Sequence, residues 1–237
     1  MRNSFFAFAA IGLLFFTSCD KDISVENSEL SANPTKPATE NASNLSNCKD
    51  CSYVPVCSGS VYRYSDTSAG SSTGTIQSYT LKYLKDTMIA GRTYQKILGA
   101  GQQAAYFNCS SGISSTIVLS GAGGNAPYTK TTNLKANQSV GHNWADVINN
   151  ATGQPVTHSY TIMSKGNTRT VAGITYTDVI HVHERNSLNM PNAVIMPIGR
   201  TDYYFAKGTG LVESISLDDF SGQKIFHHVL LSATIPN

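Results

Sequence analysis

The chain has 237 residues and a formal net charge of +2, with its 17 Lys and Arg residues scattered, which excludes the electrostatic footprint of a nucleic-acid binder. Hydrophobic residues make up 41% and charged residues 14%, enough apolar side chain for one domain with a sizeable core.

Met1-Arg2-Asn3-Ser4 is a short polar start with one positive charge, followed by an unbroken apolar run of twelve residues, Phe5 to Phe16. That run is too short to span a bilayer, which needs about 20 apolar residues. With small residues before Cys19 it reads as an export signal over residues 1–18. Phe16-Thr17-Ser18-Cys19 resembles the bacterial lipobox, with Phe16 where Leu is usual, and implies acylation of Cys19, including by palmitate. Such an anchor holds stably, because two lipid signals already suffice. Asp20-Lys21-Asp22 resembles the charged export tag of surface lipoproteins in the Bacteroidetes. The expected address is therefore the outer membrane, facing either the cell surface or the periplasm.

Residues 20–47 are rich in Ser, Asn, Thr, Glu and Ala, with Pro34 and Pro37 and almost no large apolar side chain. Such a stretch cannot bury enough surface to offset its ordering entropy, so residues 19–47 read as a lipidated cysteine and a tether. A single β domain is expected over residues 48–237. It contains Cys48, Cys51, Cys57 and Cys109, an even number that outside the cytoplasm suggests disulfides. Four cysteines allow three pairings. The cysteines of the Cys48–Cys57 segment are expected to staple the N-terminal edge, with Cys109 as one partner. A zinc site opened by Cys48-x2-Cys51 lacks a second close pair, and a redox reading lacks a βαβ context.

Two stretches, about 60–120 and 139–235, repeat the same blocks in the same order. Tyr64-Ser65-Asp66 answers Trp144-Ala145-Asp146, and Ser78-Tyr79-Thr80-Leu81 answers Ser159-Tyr160-Thr161-Ile162. Ile89-Ala90-Gly91 with Thr93-Tyr94 answers Val171-Ala172-Gly173 with Thr175-Tyr176, and Tyr106-Phe107 answers Tyr204-Phe205. The second copy is longer by an insertion around residues 185–200.

Each copy reads as β. Gly173 sits between two β-rich runs, as a tight hairpin requires. Thr175–His183 alternates, placing Tyr176, Asp178, Ile180 and Val182 on one face and Val179, His181 and His183 on the other. Strands also follow at Ile113–Leu119, Leu211–Leu217 and Val229–Ile235, and one short helix is the most that fits near Val140–Ile148. Ten or so strands separated by Gly, Asn, Ser and Thr predict an all-β fold. The expected form is a curved antiparallel sheet, a half-barrel or barrel, built from two internally similar units.

Tyr203-Tyr204-Phe205-Ala206-Lys207-Gly208-Thr209-Gly210-Leu211-Val212 resembles a segment shared by a family of Bacteroidetes lipoproteins. Cys48-x2-Cys51-x-Tyr53-x-Pro55-x-Cys57 and Gly141-x-x-Trp144 carry the same resemblance. It implies a fold similar to the half-barrel of LolA/LolB-type carriers, with an apolar groove, and it brings no catalytic residues. Gly208 and Gly210 are expected to act as backbone devices at a bend.

His181-x-His183 is the best metal candidate, since alternation puts both rings on one face about 7 Å apart. Further ligands would have to come from His158, His227 or His228, and no metal is assigned. No cofactor motif and no hydrolase motif is present in a suitable context. Asp218-Asp219 is expected to serve a turn before Phe220-Ser221-Gly222. Trp144 is expected in the core, and Asp86-Thr87-Met88 resembles a Bacteroidetes O-glycosylation site at Thr87, expected at a hairpin turn. The composite expectation is a non-enzymatic, lipid-anchored interaction or structural module with a protein partner. The alternative is a carrier of a lipid or other hydrophobic ligand.

Overall fold

The computed structural model describes residues 51–68, 76–99, 104–119, 128–150, 152–190 and 194–236. The export signal, Cys19, the tether and Cys48 lie outside the described residues. Twelve strands follow one another: β1 (Val61–Ser68), β2 (Ile76–Ile89), β3 (Arg92–Leu98), β4 (Ala104–Ser110), β5 (Ile113–Leu119) and β6 (Tyr128–Lys135). Then come β7 (Asn143–Asn149), β8 (Pro155–Val171), β9 (Ile174–Met190), β10 (Val194–Ala206), β11 (Gly210–Leu217) and β12 (Lys224–Thr234). Among the described residues there is no helix.

All twelve strands form one antiparallel sheet in the order β6-β5-β4-β3-β2-β1-β12-β11-β10-β9-β8-β7. Two meanders are thus joined where β1 pairs with β12, with Tyr64 opposite Leu230 and Asp66 opposite His228. The two outer strands, β6 and β7, come back together without a ladder, so the sheet is a nearly closed barrel. Thr132 of β6 is held there by β7 side chains: its N–H donates to Asp146 Oδ2 at 2.6 Å, and its carbonyl accepts from Trp144 Nε1 at 3.0 Å. Side chains therefore satisfy backbone groups that would otherwise be an exposed sheet edge.

Local sequence explains the connections. Ala90-Gly91, Ser111-Gly112 and Ala172-Gly173 are two-residue turns with positive φ at both positions, 48° and 80° at Ala172 and Gly173. Positive φ at both central residues matches the right-handed twist of the flanking strands. Where a short helix is the most the sequence admits, near Val140–Ile148, β7 forms instead. Its pairing with β8, Trp144 opposite Tyr160 and Asp146 opposite His158, overrides the weak local pattern.

Two core clusters fill the barrel. Tyr62, Tyr64, Leu81, Tyr83, Ile97, Phe107, Val212 and Leu230 belong to one; Leu134, Trp144, Tyr160, Ile162, Ile180, Val182, Tyr203 and Phe205 form the other. A smaller cluster, Ile89, Tyr94 and Ile117, lies on the opposite face of β2–β5. The expected alternation along β9 breaks at Asp178, whose φ is +53°. Tyr176 as a result packs with Val179 in the first cluster while Ile180 and Val182 enter the second, where strict alternation would put Tyr176 with Ile180. An extra residue in one strand of a pair re-aims the side chains beyond it.

Residues 51–60 cross the near end of the barrel. Tyr62 Oη donates to the Pro55 carbonyl at 2.6 Å, and Gly59 N–H donates to the Tyr83 carbonyl at 2.8 Å. Gly208 N–H donates to the Ser52 carbonyl at 2.5 Å, and Tyr53 and Val54 pack on the second cluster. A disulfide joins Cys51 to Cys109 at the end of β4, with Cα atoms 6.2 Å apart. Cys57 is disulfide-bonded as well. At Gly210 a Cβ would meet the Tyr62 ring at 3.5 Å, and φ is +106°, so the expected backbone role of this glycine holds.

Candidate functional site

Alternation and register bring the buried polar residues of the barrel's far half onto one face. Tyr160, Glu184, Thr201 and Ser216 are successive cross-strand partners on β8, β9, β10 and β11. His158 and Asn186 pair one step further from the near end. Glu184 is fully buried and Asn186 is 4% exposed. Glu184 Oε1 lies 2.7 Å from His158 Nδ1, and Glu184 Oε2 accepts a short hydrogen bond from Tyr203 Oη. A carboxylate bonded this way is an acceptor only, so His158 carries its proton on Nδ1. Thr201 Oγ1 and Ser216 Oγ are 3.0 Å apart, and His228 Nδ1 meets Asp66 Oδ1 at 2.6 Å on the same face. Burial, then the Glu184 charge, pushes the Tyr160 and Tyr203 phenols well above their ordinary range, so both stay neutral.

The opposite face of the same strands carries a second chain of polar groups. His181 Nε2 and His183 Nδ1 both bond Asp202 Oδ1, at 2.7 and 2.9 Å. Burial alone would raise the Asp202 carboxyl, but the two imidazoles outweigh it and hold the group well below the usual carboxylate range. The His181 ring stacks on Tyr204 with centroids 4.6 Å apart, and the Arg169 guanidinium covers Tyr204 at 3.8 Å. Arg169 pairs with Glu213 at 2.5 Å, and Glu213 Oε1 is 2.8 Å from His227 Nε2. Arg169 sits on β8 and Glu213 on β11, three strand spacings apart, or about 14 Å. The reach is made by the β8–β9 hairpin, whose ladder shifts register three times between Ile162 and Arg169.

The histidines flagged by sequence are therefore each engaged by a carboxylate. His181 and His183 do converge, on Asp202, while His158, His227 and His228 go to Glu184, Glu213 and Asp66. Among the described residues no group of three or more His, Cys, Asp or Glu side chains is placed to hold a metal. Thr87 lies inside β2 opposite Tyr94 rather than at the turn, which falls at Ala90-Gly91. The strand runs on because Met88 and Ile89 still pair with Thr93 and Arg92. Asp218 serves its turn as expected, accepting from the N–H groups of Phe220 and Ser221. Trp144 is buried against Tyr160, with ring centroids 5.1 Å apart. Sequence reading missed Glu184 with Tyr203 and Asp66 with His228; their only sequence signal is polar type at an inward parity.

A cavity of about 20 Å³ lies behind the Cys51–Cys109 disulfide, lined by Tyr53, Val54, Ser114, Leu134 and Ala136 among others. That is room for about one water molecule. The Ser114 hydroxyl, buried without a protein partner, would bind it.

Fold and site together define a nearly closed antiparallel barrel that is apolar at its near end and polar within its far half. No family model matches the chain, and no curated protein does. Among solved structures it is similar to a candidate lipoprotein from Parabacteroides distasonis, at 11% identity and a TM-score of 0.50, over 78% of this chain and 100% of that one. It is also similar to a candidate exported protein with a YmcC-like fold from Bacteroides fragilis, at 10% identity and a TM-score of 0.48, over 78% of this chain and 99% of that one. Identity this low in the Parabacteroides match bears on the fold alone.

Proposed function

We propose that the chain is an exported lipoprotein, acylated on Cys19 and held at the outer membrane, whose barrel is a non-catalytic interaction module. The export signal ending at Cys19 supports the anchor, and disulfides at Cys51, Cys57 and Cys109 fit an oxidising compartment. The fold shared with the Parabacteroides protein, described as a candidate lipoprotein, points the same way. Asp20-Lys21-Asp22 favours display on the cell surface.

One observation carries the choice of an interaction module over a carrier. Inward-facing Leu134, Ile162, Ile180, Val182, Val212 and Leu230 are at most 1% exposed, so side chains fill the space a LolA/LolB-type groove would leave for an acyl chain. The aligned turns at Ala90-Gly91 and Ala172-Gly173, alike in φ, support reading the barrel as two six-strand units. The test is native mass spectrometry of the gently purified chain. A mass accounted for by the mature chain and its own acyl groups supports the module. A reproducible extra mass removed by organic solvent would establish the carrier instead.

A further inference from the structure

The chain enters the barrel at its near end, where Cys51 is tied to Cys109 just before the β4–β5 turn at Ser111-Gly112. That turn is bonded in its turn to the connection between β6 and β7. Ala136 N–H donates to the Gly112 carbonyl at 2.8 Å, and Lys165 Nζ donates to the Ala136 and Gln138 carbonyls at 2.7 and 3.1 Å. Cys51, Val54, Gly112 and Ala136 line one small cavity, so the entry segment, the turn and the β6–β7 connection form a continuous rim. The β8–β9 hairpin is drawn away from it, because Arg169 binds Tyr204 and Glu213 on the outer wall.

The charge of this rim is one-sided. Residues 51–60, 111–112, 136–142, 172–173 and 207–209, described connections at the near end, contain no Asp or Glu. Lys135 ends β6, Lys165 stands on β8, and Lys207 opens the connection from β10 to β11. Asp178 of β9 pairs with Lys207 and also accepts from the Tyr53 hydroxyl, yet the Lys207 side chain is still 51% exposed. At the far end, by contrast, the β11–β12 turn carries Asp218 and Asp219. Two apolar side chains stand out beside the lysines: Ile113, directly opposite Lys135, is 37% exposed, and Val140 is 56% exposed. Apolar groups that can enter the headgroup boundary, set among ammonium groups that can meet phosphates, make an interfacial contact with a bilayer. The anchor favours a bilayer over a protein partner, since residues 19–50 lead from Cys19 to this same end.

We infer that the near end of the barrel docks on the phosphate-bearing membrane face that holds the anchor, with Ile113 and Val140 at headgroup level and Lys135 and Lys207 against lipid phosphates. The inference rests on the proposed lipid anchor for its choice of surface. The docking contact itself is made by the barrel and needs no acyl chain.

The test therefore uses the full mature chain with Cys19→Ser, which separates docking from acylation. It is mixed with vesicles of phosphatidylcholine and phosphatidylglycerol in equal parts, or of phosphatidylcholine alone, and the bound fraction is read by co-sedimentation. The inference expects binding to the anionic vesicles that weakens with salt and falls about fivefold for each of Lys135→Gln and Lys207→Gln. Ile113→Asp and Val140→Asp, both at exposed positions, should reduce it further. In the chain with no further substitution, the anionic vesicles should slow hydrogen exchange in residues 111–113 and 136–142 and leave residues 218–223 unchanged. No binding, equal binding to phosphatidylcholine alone, or protection confined to residues 218–223 would overturn the inference. Each of those results would leave acylation of Cys19 to be decided by the mass of the wild-type chain.

Discussion

Trp144 donates its indole N–H to the Thr132 carbonyl at 3.0 Å, across the junction of the barrel that has no strand ladder. Asp146, two residues on, takes the Thr132 N–H at 2.6 Å. One β6 residue thus has both its backbone groups satisfied by β7 side chains. Trp144→Phe keeps most of the packing and strands the carbonyl. The expected loss is about 1–3 kcal/mol of unfolding free energy, read by denaturant titration. Hydrogen exchange should quicken in residues 128–135 ahead of the rest of the sheet. Unchanged exchange there would mean the seam is held by something else.

The disulfide between Cys51 and Cys109 closes a loop of sequence separation 58. Loop-closure entropy predicts that Cys51→Ser with Cys109→Ser lowers stability by about 4 kcal/mol. Because Cys51 also fixes the segment carrying Tyr53 and Val54, protease cutting within residues 51–60 should rise at the same time.

Acid should weaken the fold through Asp202. Its folded carboxyl is depressed by His181 and His183, so its contribution is fully present above the unfolded carboxylate value of about 3.9 and is lost as pH falls below it. Asp202→Asn should therefore flatten the fall in melting temperature below about pH 4. The half-buried Asp178, held down first by its bond from Tyr53 and also by Lys207, acts in the same direction. An undiminished acid slope in the Asp202 variant would show that these contacts do not form in solution.

Ala172 occupies a left-handed conformation, φ 48°, that costs a residue with a Cβ about 1–2 kcal/mol. Ala172→Asn should raise stability by up to about 1 kcal/mol, because Asn-Gly is the preferred pair in this turn. Ala90→Asn should behave alike, its φ being 48° as well.

Much of the fold was legible because short-range chemistry wrote it. Gly173 marks a two-residue hairpin, and the Val, Ile, Thr and Tyr residues on either side of it mark strands. What could not be read were features decided at a distance. The parity of β9 beyond Asp178 depends on a bulge that alternation alone does not show. The polar core at Glu184 depends on register: Tyr160 and Thr201 become its neighbours only once β8, β9 and β10 are aligned. His183 and Glu184 are adjacent in sequence yet point to opposite faces, one to Asp202 and one to His158. Pairing of the histidines likewise needed the sheet, since His228 finds Asp66 only through the β1–β12 junction.

The central claim is a β-barrel domain carried on a lipid at Cys19. Its most direct measurement is the intact mass of the chain recovered from the membrane fraction, with alkyne-palmitate labelling of wild type and Cys19→Ser side by side. The account predicts a mature chain beginning at Cys19 with the added mass of acyl chains, and a Cys19→Ser chain that takes no label. An unacylated chain released in soluble form, or a wild-type chain that keeps residues 1–18 and takes no label, would contradict it.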